Sequence, residues 1–166
     1  SPSTYATELI RVLGARKKKI ITEPGRVIAG NAGILLTKVL LRKRNQEKTF
    51  LIVDAGMNDS IRPALYNAWH GIEAVADKGS STETVDVVGP VCESGDFLAR
   101  ERELPVMDEG DLVAMRSAGA YGFVMASNYN SRPRIPEVLV HDGTYHVIRT
   151  RETIADLFAS ESLPDV

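Results

Sequence analysis

The stretch ITEPGRVIAGNAG, Ile21–Gly33, separates two different patterns in this sequence. Before it, the apolar residues of Tyr5–Leu13 repeat at helical spacing, and Gly14 is placed to cap the helix. Lys19–Thr22 then predicts a short strand, which Pro24 ends because proline has no N–H to donate to a neighbouring strand. A helix, a strand and a glycine-bearing turn follow one another as in an α/β unit.

Downstream of this stretch the sequence changes to short runs rich in Val, Ile, Leu and Thr, separated by turn residues, which predicts β-strands. The pair Asp142–Gly143 between two alternating arms predicts a β-hairpin, and Thr153–Ala159 predicts a short terminal helix. Together the runs predict about seven strands closed as a sandwich or barrel. We therefore expect residues 1–33 to form a βα unit and residues 34–166 to form a mainly β domain of the Greek-key barrel or sandwich type.

The composition limits the classes of function. The chain has 166 residues, of which 43% are apolar and 25% charged, which suffices for one domain with a core. The net charge of -2 gives no electrostatic basis for binding nucleic acid, and no apolar run reaches the roughly 20 residues of a membrane span. The single cysteine, Cys92, excludes an internal disulfide and favours a reducing compartment, so we expect a cytoplasmic protein. His70, His141 and His146 lack the spacing of metal ligands.

The segment EPGR is the first candidate site. Pro24 and Gly25 force a turn directly after the predicted strand, and backbone N–H groups in such a turn can converge on an anion. Glu23 and Arg26 would flank that anion. The alternative is an ordinary loop with an ion pair at the surface.

A second candidate is the pair Arg62 and Tyr66. The two residues are four apart, so they share a face if the segment is helical beyond Pro63. A guanidinium can bind both oxygens of a carboxylate, and a phenol can add a third donor. The alternative is the polar face of an amphipathic surface helix.

Cys92 and Glu93 form a third candidate, beside the turn Ser94–Asp96. Such a turn can present both side chains together. The neighbouring carboxylate disfavours a thiolate, so a functional Cys92 would act in its protonated form, as an acid. The alternative is a buried, inert cysteine.

Tyr121 is the fourth candidate, because it lies among small residues that let the backbone or a ligand come close. The alternative is a tyrosine of the core whose hydroxyl is hydrogen-bonded inside the protein.

Each signal is weak alone, but their order is informative. Four segments together strongly resemble the C-terminal part of the diaminopimelate decarboxylases, fold-type III enzymes that use pyridoxal 5′-phosphate (PLP): EPGR, DAGMNDSIRPALY, GPVCESGDFLA and AGAYGFVMASNYNSRPRIPEVLV. The resemblance implies a TIM-like PLP-binding barrel whose last βα unit is residues 1–33, followed by a C-terminal β domain. It also implies a homodimer with active sites at the subunit interface.

The resemblance implies roles for the EPGR segment and for Tyr121. Glu23 would face the pyridine nitrogen of PLP and keep it protonated, so that the ring accepts electrons as CO2 leaves. Gly25 and Arg26 would hold the cofactor phosphate through backbone N–H groups, and the Arg26 side chain would bind a substrate carboxylate. Tyr121 resembles the tyrosine at the phosphate end of PLP, where it also borders the substrate.

The remaining candidates would bind the substrate and protonate it. By the same resemblance, Arg62 and Tyr66 bind the distal end of the substrate, and that pair distinguishes diaminopimelate from lysine or ornithine. Cys92 and Glu93 would be supplied across the dimer interface. Glu93 would bind the distal ammonium, and Cys92 would donate a proton at the α carbon.

The family's covalent PLP-binding lysine has no match in this chain, so the resemblance implies a C-terminal portion that is inactive alone. The whole enzyme would convert meso-2,6-diaminopimelate into L-lysine and CO2, as a step of lysine biosynthesis. One alternative is a related decarboxylase for ornithine or arginine. Another is a non-catalytic module for dimerisation or binding, and a third is a β-barrel binding domain whose motif matches arise by chance.

Overall fold

A computed structural model describes residues 1–16, 18–76, 78–79 and 81–164. The first element is the predicted helix, α1, which spans Pro2–Leu13 and continues as a 3-10 turn over Gly14–Arg16. The hydroxyl of Ser1 caps it by accepting a hydrogen bond from the Thr4 N–H at 3.3 Å. The Gly14 N–H donates to the Ile10 carbonyl, so Gly14 is the C-cap, in right-handed conformation.

The strand predicted over Lys19–Thr22 is wrong, because the backbone there has no strand pairing. A strand is stable only beside a neighbour with which it exchanges backbone hydrogen bonds, and no strand in the described part of the chain lies next to it. Helix α1 likewise buries no residue, and Ile10 on it is 65% exposed. The division of the chain at residues 33 and 34 therefore stays a prediction.

The main body is one six-stranded sheet in the order β3-β6-β1-β2-β4-β5. All neighbours in it are antiparallel except β2 and β4, which run parallel. The edge strands β3 and β5 also lie against each other, so the sheet is nearly closed into a barrel. The predicted mainly β class is confirmed. Its strands are β1 Leu35–Arg44, β2 Thr49–Val53, β3 Ile72–Ala74, β4 Thr82–Val88, β5 Phe97–Pro105 and β6 Leu112–Met115.

The core lies inside this sheet, and on β1 and β2 buried residues alternate with more exposed ones, as the pleat of a strand requires. On β1 the buried positions are Leu35, Thr37 and Val39. Thr37 is tolerated there because its hydroxyl donates to an Asp54 carboxylate oxygen at 2.6 Å and accepts from the Ala55 N–H at 2.9 Å. The other core residues are apolar and include Leu51, Val53, Val85, Val87, Leu98, Val113 and Met115.

Two further elements position candidate residues. A short helix, α2, spans Arg62–Tyr66 with Pro63 in its first turn, so the condition under which Arg62 and Tyr66 share a face is met. The predicted hairpin is confirmed as β7 Glu137–His141 and β8 Thr144–Arg149, a separate two-stranded sheet. The predicted terminal helix is a 3-10 turn over Ala155–Phe158. Among the residues that the structure describes, no helix is long and apolar enough to cross a membrane.

The region after β8 is tied back to the loop before β7 by Glu152. Its carboxylate accepts from the Arg134 guanidinium, including Nε at 2.7 Å, from the Arg134 backbone N–H at 2.8 Å, and from the Asn128 amide at 2.6 Å. These hydrogen bonds, those of the Arg134 side chain above all, lower the pKa of Glu152 to about 2.

Replacing Glu152 by glutamine is therefore expected to lower the free energy of unfolding at neutral pH. A depressed carboxyl pKa contributes stability that is present above its value in the unfolded chain, 4.5, and is lost as pH falls towards about 2. The difference between wild type and Glu152→Gln should accordingly shrink over that window in urea melts. Glu109→Gln, which removes an exposed carboxylate from the loop before β6, is the control. A wild-type-to-Gln difference that stays constant from pH 7 to pH 2 would contradict the assignment.

Candidate active site

The glycine-bearing turn after EPGR docks against the loop that follows β6. The Ala118 N–H donates to the Gly33 carbonyl at 2.9 Å, and the Gly119 N–H donates to the Gly30 carbonyl at 3.1 Å. The two backbones touch, because a Cβ at Gly33 would lie 2.5 Å from the Cα of Gly119. Glycine is required on both sides of this contact. The Ser117 hydroxyl adds a hydrogen bond to the Asn31 side chain at 2.7 Å.

This docking brings Gly25 of EPGR to Tyr121. A Cβ at Gly25 would lie 2.6 Å from the Tyr121 hydroxyl, so a side chain at this position would clash with Tyr121. Tyr121 has a φ of 58°, a left-handed conformation that a large side chain adopts at a cost of roughly 1 kcal/mol or more. Tyr121 is 41% exposed, so it is not a buried tyrosine of the core.

Arg62 completes this group at the start of α2. Its guanidinium carbon lies 5.3 Å from the ring centre of Tyr66 and 5.7 Å from that of Tyr121. Both distances are within the range of cation–π contacts. The Nε of Arg62 is buried and has no hydrogen-bond partner among the described residues. An unpartnered buried donor costs about 1–3 kcal/mol, so this N–H is available to an acceptor that those residues do not supply.

The other residues of EPGR are exposed. Glu23 and Arg26 form no ion pair with each other or with any other residue in the described ranges, so the surface ion pair considered as an alternative is not present. The Arg26 carbonyl accepts from the Gly30 N–H at 2.9 Å, which closes the turn. The turn holds its backbone by local hydrogen bonds and leaves both charged side chains to solvent.

The Cys92–Glu93 turn is built around the buried carboxylate of Asp96. One of its oxygens accepts from the Met57 N–H and the other from the Val91 N–H, each at 2.6 Å. Asp96 is 5% exposed, whereas Cys92 and Glu93 are both exposed. The cysteine is thus presented at the surface and is not the buried, inert thiol considered as an alternative.

Glu93 has a side-chain partner that sequence reasoning did not identify. The Tyr129 hydroxyl donates to Glu93 Oε2 at 3.2 Å. The pKa of Tyr129 is raised by this hydrogen bond first, then by the charge of Glu93, with a smaller contribution from Cys92. The one sequence signal for this loop is the segment ASNYN, in which Tyr129 stands between two asparagines.

Six of the eight sequence-predicted site residues fall into two groups, whereas the side chains of Glu23 and Arg26 join neither. Arg62, Tyr66, Tyr121 and Gly25 meet, and Cys92 and Glu93 stay together. In the part of the chain that the structure describes, no hydrogen bond, ion pair or ring contact joins the groups. The turn that carries Cys92 does rest on α2, but through Gly95, whose Cβ would lie 3.7 Å from that of Ala64.

A network of hydrogen bonds around the buried residues Asn58 and Asp59 was also missed. The Asp59 carboxylate accepts from the Gly56 N–H at 2.9 Å and from the Asn58 amide at 3.0 Å, and burial raises the pKa of Asp59. Arg132 donates to the Asn58 side chain at 3.0 Å and to the Asp54 carbonyl at 2.6 Å. The acidic residues beside glycines in DAGMND and ESGD are the signal that could have found it.

Within the described residues no group of three His, Cys, Asp or Glu side chains could hold a metal ion. Two clefts of about 460 and 350 Å³ lie elsewhere, and neither is lined by a predicted site residue. The first lies at the β1–β2 turn beside Lys48 and Asp86, and the second lies between Phe123 and Arg149.

The nearly closed sheet and the ordered motifs define the class. The chain belongs to the family described as pyridoxal-dependent decarboxylase, C-terminal sheet domain, whose model matches residues 5–119. Within that class the chain is similar to diaminopimelate decarboxylases. The one from Neisseria meningitidis serogroup B is 53% identical over 157 residues, which cover 95% of this chain.

Solved structures agree with this placement. A crystal structure of AQ1208 from Aquifex aeolicus matches with a TM-score of 0.86 at 50% identity and covers 96% of this chain and 40% of its own. A structure of diaminopimelate decarboxylase from Helicobacter pylori complexed with L-lysine has a TM-score of 0.81 at 45% identity, with 95% and 39% covered. The chain spans only 38% of the length of the Neisseria relative, and the match is to the C-terminal part.

Proposed function

We propose that this chain is the C-terminal portion of a diaminopimelate decarboxylase, which converts meso-2,6-diaminopimelate into L-lysine and CO2. The observation that carries the proposal is the Nε–H of Arg62, which has no partner among the described residues and whose guanidinium lies against the rings of Tyr66 and Tyr121. A guanidinium with a free donor suits a carboxylate, and the distal centre of diaminopimelate carries one. The identity to the Neisseria diaminopimelate decarboxylase supports the same substrate.

The residues present fit the phosphate end of PLP. The absence of a side chain at Gly25 leaves the Tyr121 hydroxyl and the turn backbone open to an anion, and a Cβ there would fill that space. Gly25, the Arg26 backbone and Tyr121 would hold the phosphate, and Glu23 would face the pyridine nitrogen. When bound, PLP supplies an electron sink for loss of the carboxylate.

The chain's own side chains would orient the substrate. Arg62 and Tyr66 bind the distal carboxylate of the substrate. The Arg26 side chain also binds a carboxylate of the substrate. Glu93 binds the distal ammonium, for which a carboxylate is the natural partner. Cys92, an exposed thiol beside a carboxylate, delivers the proton to the α carbon after CO2 has left.

The separation of the two groups of residues supports a homodimer. Because Cys92 and Glu93 do not meet Arg62 within one chain, each active site would combine the Arg62 group of one subunit with the Cys92 turn of its partner. We expect the enzyme in the cytoplasm, where an exposed cysteine stays reduced.

The experiment is to sequence the gene upstream of Ser1 and to assay two proteins. The 166-residue chain alone is expected to release no CO2 from meso-diaminopimelate above a no-protein control. The chain joined to its upstream coding sequence is expected to convert it to L-lysine when PLP is added. Ornithine and arginine are the comparison substrates.

Three outcomes would contradict the proposal or part of it. Preferred turnover of ornithine or arginine by the joined protein would favour the related decarboxylases. A stop codon directly before Ser1 would favour a free-standing binding or dimerisation module. Turnover by the isolated chain, in a preparation free of host enzyme, would contradict its expected inactivity.

A further inference from the structure

We propose that Tyr129 is a positioning residue for Glu93, holding its carboxylate in the orientation that receives the distal ammonium of the substrate. The inference rests on the proposed function, because it takes the role of Glu93 from there. It adds a residue to the site that neither the motifs nor the resemblance assigned.

The contact is specific to one carboxylate oxygen. The Tyr129 hydroxyl donates to Glu93 Oε2 at 3.2 Å, while from the described residues Oε1 accepts just a long hydrogen bond, from the Gly95 N–H at 3.4 Å. The phenol thus fixes one oxygen and leaves most of the hydrogen-bonding capacity of the other free.

Glu93 has no cation of its own. In the described ranges no lysine, arginine or histidine forms an ion pair with it, although many other carboxylates of this chain do have such a partner. A carboxylate that is held by a neutral donor keeps its full charge for an incoming ammonium.

The loop that carries Tyr129 is anchored at both ends. At its start, the Ser127 N–H donates to the Asn58 carbonyl at 2.9 Å, and the Ser127 hydroxyl accepts from the Tyr129 N–H at 3.3 Å. The Asn128 amide donates to Glu152 at 2.6 Å and to the Arg132 carbonyl at 3.0 Å. These contacts leave the Tyr129 backbone little freedom.

The same loop stores backbone strain. Asn130 and Ser131 have φ values of 59° and 55°, in the left-handed region. Adjacent residues in that region persist only where the surroundings over-determine them. Tyr129 is 47% exposed, so packing of its side chain in the core does not account for this strained backbone. A fixed position for the Tyr129 hydroxyl does account for it.

The first test uses the full-length enzyme with PLP and meso-diaminopimelate. Tyr129→Phe is expected to raise KM about fivefold to tenfold and to leave kcat within about twofold, because it loosens a binding group and leaves Cys92 in place. Tyr145→Phe, which removes a hydroxyl from a side chain that is 74% exposed on β8, is the matched control. It should leave both parameters unchanged.

A double-mutant cycle separates positioning from a structural effect. In Glu93→Gln the added Tyr129→Phe change is expected to cost little more, since the group to be positioned is already altered. Independent, additive losses would overturn the inference, and so would an unchanged KM in Tyr129→Phe. A wild-type enzyme that does not use diaminopimelate at all would instead contradict the proposed function.

The second test needs no activity and uses the 166-residue chain itself. NMR titration of chain labelled with [13C]tyrosine, assigned by comparison with Tyr129→Phe, should show Tyr129 titrating above the ordinary value of 10. Glu93→Gln should bring it towards 10, while Cys92→Ser should have a smaller effect, because the thiol is the weaker contributor. A Tyr129 titration that is the same in wild type and Glu93→Gln would overturn the inference.

Discussion

Replacing Arg62 by lysine in the full-length enzyme is expected to lower kcat/KM for meso-diaminopimelate about a hundredfold, or roughly 3 kcal/mol of transition-state binding. The planar guanidinium offers two parallel donors to a carboxylate and stacks on two rings, whereas an ammonium is a point charge that does neither in the same way. The loss should appear in KM and kcat/KM more than in the decarboxylation step. Steady-state release of L-lysine measures it.

Arg100→Lys is the matched control for that change. Arg100 also stacks on an aromatic ring, with its guanidinium carbon 3.7 Å from the centre of Phe97, but it is exposed and outside the Arg62 group. Its replacement should leave kcat/KM unchanged. If diaminopimelate use survives Arg62→Lys undiminished, the assignment of substrate specificity to Arg62 fails and the ornithine or arginine alternative returns.

Local elements could be predicted where the sequence contains a turn signal or a periodic pattern of apolar residues. The β7–β8 hairpin follows from Asp142–Gly143, because a two-residue hairpin turn needs left-handed residues and these have φ values of 47° and 73°. For helix α2, the four-residue spacing of Arg62 and Tyr66 gave a shared face only on the condition that the chain is helical beyond Pro63, and the structure meets that condition.

The errors came from non-local requirements. Lys19–Thr22 has strand-like residues but no neighbour to pair with, and pairing is decided by residues far away in sequence. By contrast, β3 is a strand without a strand-like sequence pattern, because its 3 residues are too few to show alternation. It forms because β6 offers an edge with which it can pair. Neither outcome can be seen in a window of a few residues.

The candidate site shows the same difference between local and long-range contacts. Spacing alone placed Arg62 beside Tyr66, but Tyr121 joins them across more than fifty residues of sequence, where only the fold determines proximity. The hydrogen bond between Tyr129 and Glu93 is likewise long-range, with a sequence separation of 36. Candidate residues could therefore be chosen from motifs, while their partners had to come from the structure.

Replacing Gly119 by alanine is expected to destabilise the chain by about 3 kcal/mol, the upper end of the usual cost of overpacking. A Cβ at this position would lie 2.0 Å from the Ala29 carbonyl oxygen and 2.7 Å from the Gly33 nitrogen. Both obstacles are backbone atoms, which cannot rotate away as a side chain can. Urea denaturation and amide exchange at Ala118 and residue 119, whose N–H groups bond the facing turn, measure the effect.

Gly95→Ala is the control, because the nearest atoms to its Cβ would be at 3.7 Å, an ordinary contact, and it should change the free energy of unfolding by less than about 1 kcal/mol. In the full-length enzyme, Gly119→Ala should also weaken PLP binding, since the same docking holds Gly25 against Tyr121. Unchanged stability and exchange in Gly119→Ala would mean that the turn after EPGR does not rest on the loop after β6. Gly25 and Tyr121 would then lack the support that brings them together, and their shared role at the phosphate would lose its structural basis.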